Sequence, residues 1–345
     1  MKASRIAAIV AGCLAVPLTV RAADDTIKKI GETQQIKCSI TSMSKDEVKY
    51  EKSGKEESVP TYEIESIRLA DEPPQLNLIR NQVNNGAFEN ALRSLDKLDT
   101  DSIDKAEVKA EIHYMRAYCN GKLALGGSGD VKQAGGQVKA FIDVNPNSYH
   151  YYAANELAGD LAVSLGSYEA ATKFYKALST APADAYKIKA GIDIGKAKLA
   201  EKKYEDALKE FDTALDLTEK GKTPESQKLA AMLGKAACLG ETGKPEEGVK
   251  LAEAVIKELK AEEIDLHSWA YVVAGNCYRK IPNHTKQALL AYLHVDVLYF
   301  ANPQYHAEAL WNLASLWQDL KKVDRATQAS ALLKERYPNS TWAKM

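Results

Sequence analysis

Along most of this chain apolar residues recur at helical spacing, and one arrangement of them returns every 36 to 43 residues. In GSYEAATKFYKALSTAP, residues 166–182, Tyr168, Ala171, Tyr175 and Leu178 share one helix face. In KKYEDALKEFDTALDL, residues 202–217, Tyr204, Ala207, Phe211 and Ala214 occupy the same places. Five further stretches keep the spacing, with Ala91, Ala134, Gly248, Ala288 and Ala326 in the small slot. Bulky partners stand in register, among them Phe88, Phe141, Tyr292 and Leu333, and Pro146 and Pro338 close two of the stretches. Ahead of each small slot runs another helical stretch with a small residue of its own, such as Gly159 before Ala171 and Gly195 before Ala207. Each unit is therefore a hairpin of two helices. Small residues let the two backbones approach, and aromatics fill the groove beside them. One hairpin buries too little to stand alone, so about seven must stack into a superhelix with a concave inner wall.

This pattern of small, aromatic and proline positions resembles the tetratricopeptide repeat family over about residues 72–340. The resemblance implies a mainly α fold, an α-solenoid of helix hairpins, in which the first helix of each unit lines the concave wall. Transferring that register names His113, Arg116 and Asn120 in the second unit and Glu156 and Asp160 in the third. Lys189, Ile192 and Lys196 follow in the fourth, then Leu233 in the fifth. Trp269, Val272, Asn276 and Arg279 stand in the sixth, and Trp311, Ser315 and Gln318 in the seventh. The wall so read is charged in its first half and aromatic toward its end. Trp269 and Trp311 are either anchors for a partner or core residues between units. The lysine and asparagine set of the family's carboxylate clamp is missing.

Before the repeats the period changes from helical to twofold. Ile36, Cys38 and Ile40 alternate with polar residues, as do Val48 and Tyr50, and the turn SGK, then SVP and IESIRLA follow. Four or five short strands in residues 24–72 predict a small all-β, barrel-like domain resembling SH3-like and Sm-like modules. Two prolines in DEPP, Asp71 to Pro74, end it and open the solenoid of residues 73–345.

The first 22 residues have a basic start, an apolar stretch from Ile6 to Val20, then Ala22 and Ala23. This is the layout of a secretory signal peptide cleaved after Ala22. The motif VAGC, ending at Cys13, leaves a lipid anchor as the alternative. No other stretch is apolar for long enough to span a bilayer. The last repeat, ending in Tyr337-Pro338-Asn339-Ser340, resembles repeats of bacterial outer-membrane assembly lipoproteins and of the periplasmic protein associated with the Tol–Pal system. Together these favour export to the periplasm or cell envelope.

Composition changes the picture little: 45% apolar and 27% charged residues describe a folded protein, and a net charge of −1 argues against nucleic acid as a partner. GGSGDVK (126–132) and GETGKP (240–245) lack the residues of a phosphate-binding loop, and no HExxH or GxSxG occurs. No catalytic, metal or cofactor site is therefore expected. Of the cysteines beyond the leader, Cys238 and Cys277 fall at equivalent helix places, about 8–10 Å apart in stacked units. That exceeds the roughly 7 Å reach of a disulfide, so free buried thiols are expected. The chain reads as a non-enzymatic scaffold that holds a peptide or protein in its groove. The alternative is a glycan- or cell-wall-binding protein that uses the β module, with the repeats as spacer.

Overall fold

The computed structural model describes residues 24–221 and 223–345, so the leader and Cys13 lie outside the described residues. Five antiparallel strands come first: β1 (Asp25–Lys29), β2 (Gln35–Met43), β3 (Glu47–Lys52), β4 (Lys55–Pro60) and β5 (Ile64–Arg68). Their order in the sheet is β4-β3-β2-β1-β5. Alternation sends Val48 and Tyr50 inward and their neighbours Lys49 and Glu51 outward. Ser53 and Gly54, both with positive φ, make the two-residue turn whose twist matches the β3–β4 hairpin. β1 was not foreseen in the sequence: Ile27 is its one apolar residue, yet it is fully buried, opposite Ile36 on β2 and Ile67 on β5.

Among the described residues fourteen α-helices follow as seven hairpins. The first helices are α1 (Gln75–Asn84), α3 (Ala106–Leu125), α5 (Tyr151–Ser164), α7 (Asp184–Ala200), α9 (Glu225–Glu241), α11 (Ile264–Tyr278) and α13 (Pro303–Asp319). Their partners are α2 (Phe88–Leu95), α4 (Val131–Val144), α6 (Tyr168–Ser179), α8 (Tyr204–Lys220), α10 (Pro245–Glu258), α12 (Thr285–Leu298) and α14 (Val323–Arg336). A short 3₁₀ turn, Trp342–Lys344, packs on α13. The seven small slots read from the sequence all fall in the partner helices and all are buried. A single left-handed residue breaks each hairpin: Gly86, Gly127, Gly166, Lys202, Gly243, Asn283 and Lys321.

The glycines of the first helices explain how closely the helices pack. A Cβ on Gly159 would stand 2.2 Å from a ring carbon of Tyr175, and one on Gly234 2.1 Å from Phe211. Gly195 lies against the same Phe211 ring, where a Cβ would come within 2.7 Å, so one aromatic seals its own hairpin and the next. Tyr292 covers Gly275 in the same way.

The sheet and the first hairpin share one interior. Ile27, Ile67, Leu76, Ile79, Leu95 and Ile112 belong to a single apolar cluster. A buried ion network crosses it: Arg80 donates to both Glu72 oxygens (2.5 and 2.7 Å) and to Glu111 (3.1 Å). Tyr149 donates to the other Glu111 oxygen (2.6 Å), which His150 also meets at 2.7 Å. Burial opposes ionisation of Glu111, but His150, Arg80 and Tyr149 overcome it and bring its pKa to about 2. On the far side of the sheet Tyr152 donates to Asp46 (2.7 Å), and the hydroxyls of Thr61 and Tyr186 meet at 3.0 Å. The sheet is thus fixed to α1, α3, α5 and α7.

The superhelix turns tightly enough for its last hairpin to reach back to its second. The amide of Asn339 donates to the Gly127 carbonyl in the α3–α4 turn, 3.0 Å away. Pro303, at the start of α13, lies 3.7 Å from where a Gly126 Cβ would be. Tyr337 of the same C-terminal motif hydrogen-bonds His306 (2.7 Å), which is itself held by Asp296 (3.0 Å). The four described cysteines are free and buried.

Candidate functional site

Inside this turn the first helices present a band of charge. Its centre is on α5 and α7, where the sequence AYKIKAGIDIGKAK places Lys189, Asp193 and Lys196 one helical turn apart. Lys189 Nζ lies 3.0 Å from Glu156 Oε1 and 4.0 Å from Asp193 Oδ2. Lys196 Nζ is 3.8 Å from Asp193 Oδ1. Asp193 is buried, at 5% exposure, and its Oδ2 makes no hydrogen bond among the described residues. Asp160 accepts from the Tyr175 hydroxyl at 2.7 Å. Three acids thus share two lysines, and the balance shows in their ionisation. Burial, then the neighbouring charges of Glu156 and Asp193, push Asp160 up to about 7. Glu156 is held below the ordinary carboxylate range by Lys189, Lys122 and Lys196 against the opposing effect of burial.

Two residues outside the transferred register complete the band. Lys122, at the end of α3, lies over the Tyr118 ring (5.4 Å). Burial alone would lower its pKa, but Tyr118, Asp160, Glu156 and Asp265 together raise it. Tyr305 on α13 is held protonated by burial and by the field of Glu308, Asp265, Asp160 and Asp193. Tyr305 of the seventh unit thus feels the acids of the third and fourth. Beyond Tyr305 the wall becomes an amide and aromatic surface. Asn276 donates to Glu308 (2.9 Å) and accepts from Tyr292 (2.6 Å). Glu308 is pushed up to about 7 by burial, which outweighs the Asn276 hydrogen bond, and by Glu241.

Of the residues named from the sequence, Glu156, Asp160, Lys189 and Lys196 come together in this band. His113 and Asn120 instead face their own partner helix: His113 meets the Phe141 ring edge-on (5.4 Å), and Asn120 donates to Gln137 (2.8 Å). Arg116 pairs with Asp96, just past α2. Arg279 bonds Asn312 and lies 5.9 Å from the Trp311 ring, which packs on Trp342 at 5.3 Å. Trp311 is half-buried and Gln318 exposed.

Four expectations require correction. Ile192, Leu233, Trp269 and Val272 do not line an accessible wall: their exposures are 4, 0, 6 and 2%. Ile192 and Trp269 sit in the core formed where α7, α9 and α11 pack, and Val272 packs with the last two hairpins. Trp269 is closed over by its neighbours, with Tyr305 stacked on it at 6.2 Å and the Lys196 ammonium 4.5 Å from its ring. Stacking of neighbouring hairpins is the reason, since α13, the first helix of the next unit, packs directly on α11. Asp193, Lys122, Tyr305 and Glu308 were missed, although an acid between two isoleucines in IDI is a visible break in an apolar helix face. The described residues contain no cluster fit to hold a metal ion.

No known family profile matches the sequence, and no curated protein matches it. Solved structures do share the fold. A tetratricopeptide repeat protein from Parabacteroides merdae is 15% identical with a TM-score of 0.52, over 78% of this chain and 96% of that one. A Rap protein complexed with competence and sporulation factor is 15% identical with a TM-score of 0.50, over 78% and 76% of the two chains. NprR in complex with its cognate peptide NprX is 13% identical with a TM-score of 0.51, over 78% and 81%. The class of protein is set by this fold: a tetratricopeptide-like α-solenoid preceded by a five-stranded antiparallel sheet. Among the described residues no helix is long and apolar enough to cross a membrane.

Proposed function

We propose that the protein is a non-enzymatic scaffold of the bacterial envelope that holds a peptide or an extended segment of a partner protein along its inner wall. The observation that carries this reading is Asp193, a buried carboxylate with one oxygen that makes no hydrogen bond among the described residues, beside Asp160, which burial and its acidic neighbours push up to about 7. A buried acid in this state is stabilised by an incoming cation. A lysine or arginine of the bound segment supplies it, and apolar side chains of the same segment rest on Trp311 and Trp342. Two similarly folded proteins support the reading, one complexed with its cognate peptide and one with competence and sporulation factor. Export rests on the leader, with cleavage after Ala22 and lipidation at Cys13 as the alternative.

The test is peptide selection from a random display library on the full chain, followed by calorimetry on the winners. Selected peptides should be basic. Asp193→Asn and Trp311→Ala should each weaken them about tenfold or more, while Lys173→Ala on the exposed face of α6 should not. Winners indifferent to both inner-wall changes would refute the assignment. Mass determination of the mature protein from an envelope fraction tests export, with a first residue of Ala23 expected.

A further inference from the structure

A second concave site lies on the opposite side of the junction, where a cavity of about 270 Å³ opens between the sheet and α1. Its walls follow from strand alternation. Because Ile27 and Ile67 point inward, Thr26 and Lys28 of β1 and Ser66 and Arg68 of β5 point out. Strand register sets Thr26 opposite Arg68 and Lys28 opposite Ser66, so the four form a square. Helix α1 buries Leu76 and Ile79 away from the cavity and turns Asn77, Asn81 and Asn84, spaced four and three residues apart, onto that square, with the buried Arg80 at its floor beside them.

The charge balance of the cavity is simple. Lys28 is taken by Glu65, 2.5 Å away, and Arg80 by Glu72 and Glu111. The Arg68 side chain is exposed and makes no ion pair or hydrogen bond among the described residues. One positive charge is therefore unspent, among amides, hydroxyls and the neutralised Lys28–Glu65 pair, whose carboxylate also accepts from Asn84 at 3.5 Å. Sites for small molecules are about 300–1,000 Å³ and mainly apolar. This one falls just below that range and has no aromatic or aliphatic side chain larger than threonine in its lining. An apolar ligand would bury nothing there, and a bare anion would use Arg68 and leave the asparagines idle.

We propose that this cavity binds a small polyhydroxylated monocarboxylate, a sugar acid, with its carboxylate on Arg68 and its hydroxyls on the asparagine amides. The guanidinium fork takes a carboxylate through two parallel hydrogen bonds. Each amide both donates and accepts, as a hydroxyl requires of its partner. The ligand is either a free sugar acid or the terminal uronate of a polysaccharide, since both offer the same chemistry. The site is separate from the inner wall and does not depend on the peptide reading.

The experiment titrates the full chain with D-glucuronate, trigalacturonate, glucose and acetate, followed by calorimetry and by the side-chain amide resonances of the asparagines. Glucuronate or trigalacturonate should bind and shift those resonances, and whichever binds more tightly identifies the source. Glucose and acetate should each bind about tenfold more weakly or worse, because each lacks half of the contacts. Arg68→Gln and the double change Asn77→Ala/Asn81→Ala should each cost about tenfold or more, while peptides selected on the inner wall still bind. All three positions are exposed, so melting temperatures should hold. Should Arg68→Gln prove unstable, Arg68→Lys keeps the charge and loses the fork, and must also weaken glucuronate. Acetate binding as well as glucuronate, no binding by either uronate, or binding unchanged by these variants would overturn the proposal.

Discussion

Asn339 and Gly127, 212 residues apart in sequence, are joined by one hydrogen bond of 3.0 Å that closes the superhelix on itself. Because the bond is exposed, it contributes about 0.5–1.5 kcal/mol, small against the whole fold but large for a contact between two ends of a turn. Asn339→Ala should speed amide hydrogen exchange in residues 126–129 and enlarge the radius of gyration, with little change in melting temperature. Unaltered exchange in that turn would mean that the ends are held together by something else.

The inner-wall acids set the pH response. For Asp160 and Glu308, with pKa about 7 against an ordinary value near 4, the folded chain keeps protons that the unfolded chain has released. Stability should therefore fall as pH rises from about 4 to about 7 and level off above that. Glu111 acts in the opposite sense: its contribution is present above about pH 4 and is lost as pH falls toward 2. A melting temperature about 2–5 °C lower at pH 8 than at pH 5 is expected. Asp160→Asn with Glu308→Gln should flatten that slope. If the double variant keeps the wild-type slope, these two groups are not its source.

Glycines of two kinds give opposite outcomes. Gly234→Ala drives a methyl to 2.1 Å from the Phe211 ring, so urea denaturation should show a loss of about 1–3 kcal/mol. Gly135→Ala and Gly136→Ala, inside α4 with nothing within 4 Å, should each gain about 0.5–1 kcal/mol. Equal effects at both kinds of site would contradict the close helix approach described here.

Burial pushes the thiols of Cys119, Cys238 and Cys277 up to about 12. The native protein should resist iodoacetamide at pH 8, and the chain unfolded without reductant should take up label at all three. A thiol that stays unlabelled after unfolding would reveal a disulfide.

Residue periodicity made the repeats legible. Each buried small slot from Ala91 to Ala326 follows from a spacing visible in the sequence, because packing two helices closely admits few side chains. β1 was not legible, since a strand with one apolar residue has no alternation of its own and is defined by its neighbours. The inner wall was half legible. Glu156, Asp160, Lys189 and Lys196 were placed by the register of a single hairpin, which is local.

The burial of Ile192, Leu233, Trp269 and Val272, and the recruitment of Lys122, Tyr305 and Glu308, depend instead on how far one hairpin rotates against the next. One such interface sets Tyr305 of α13 on Trp269 of α11, and small rotations accumulated from unit to unit bring Asn339 to Gly127. The sequence determined seven hairpins, a sheet before them and the charged residues of the inner wall. Only the tertiary structure decided which of those residues face one another, because that follows from a sum of angles to which every interface contributes and which none fixes alone.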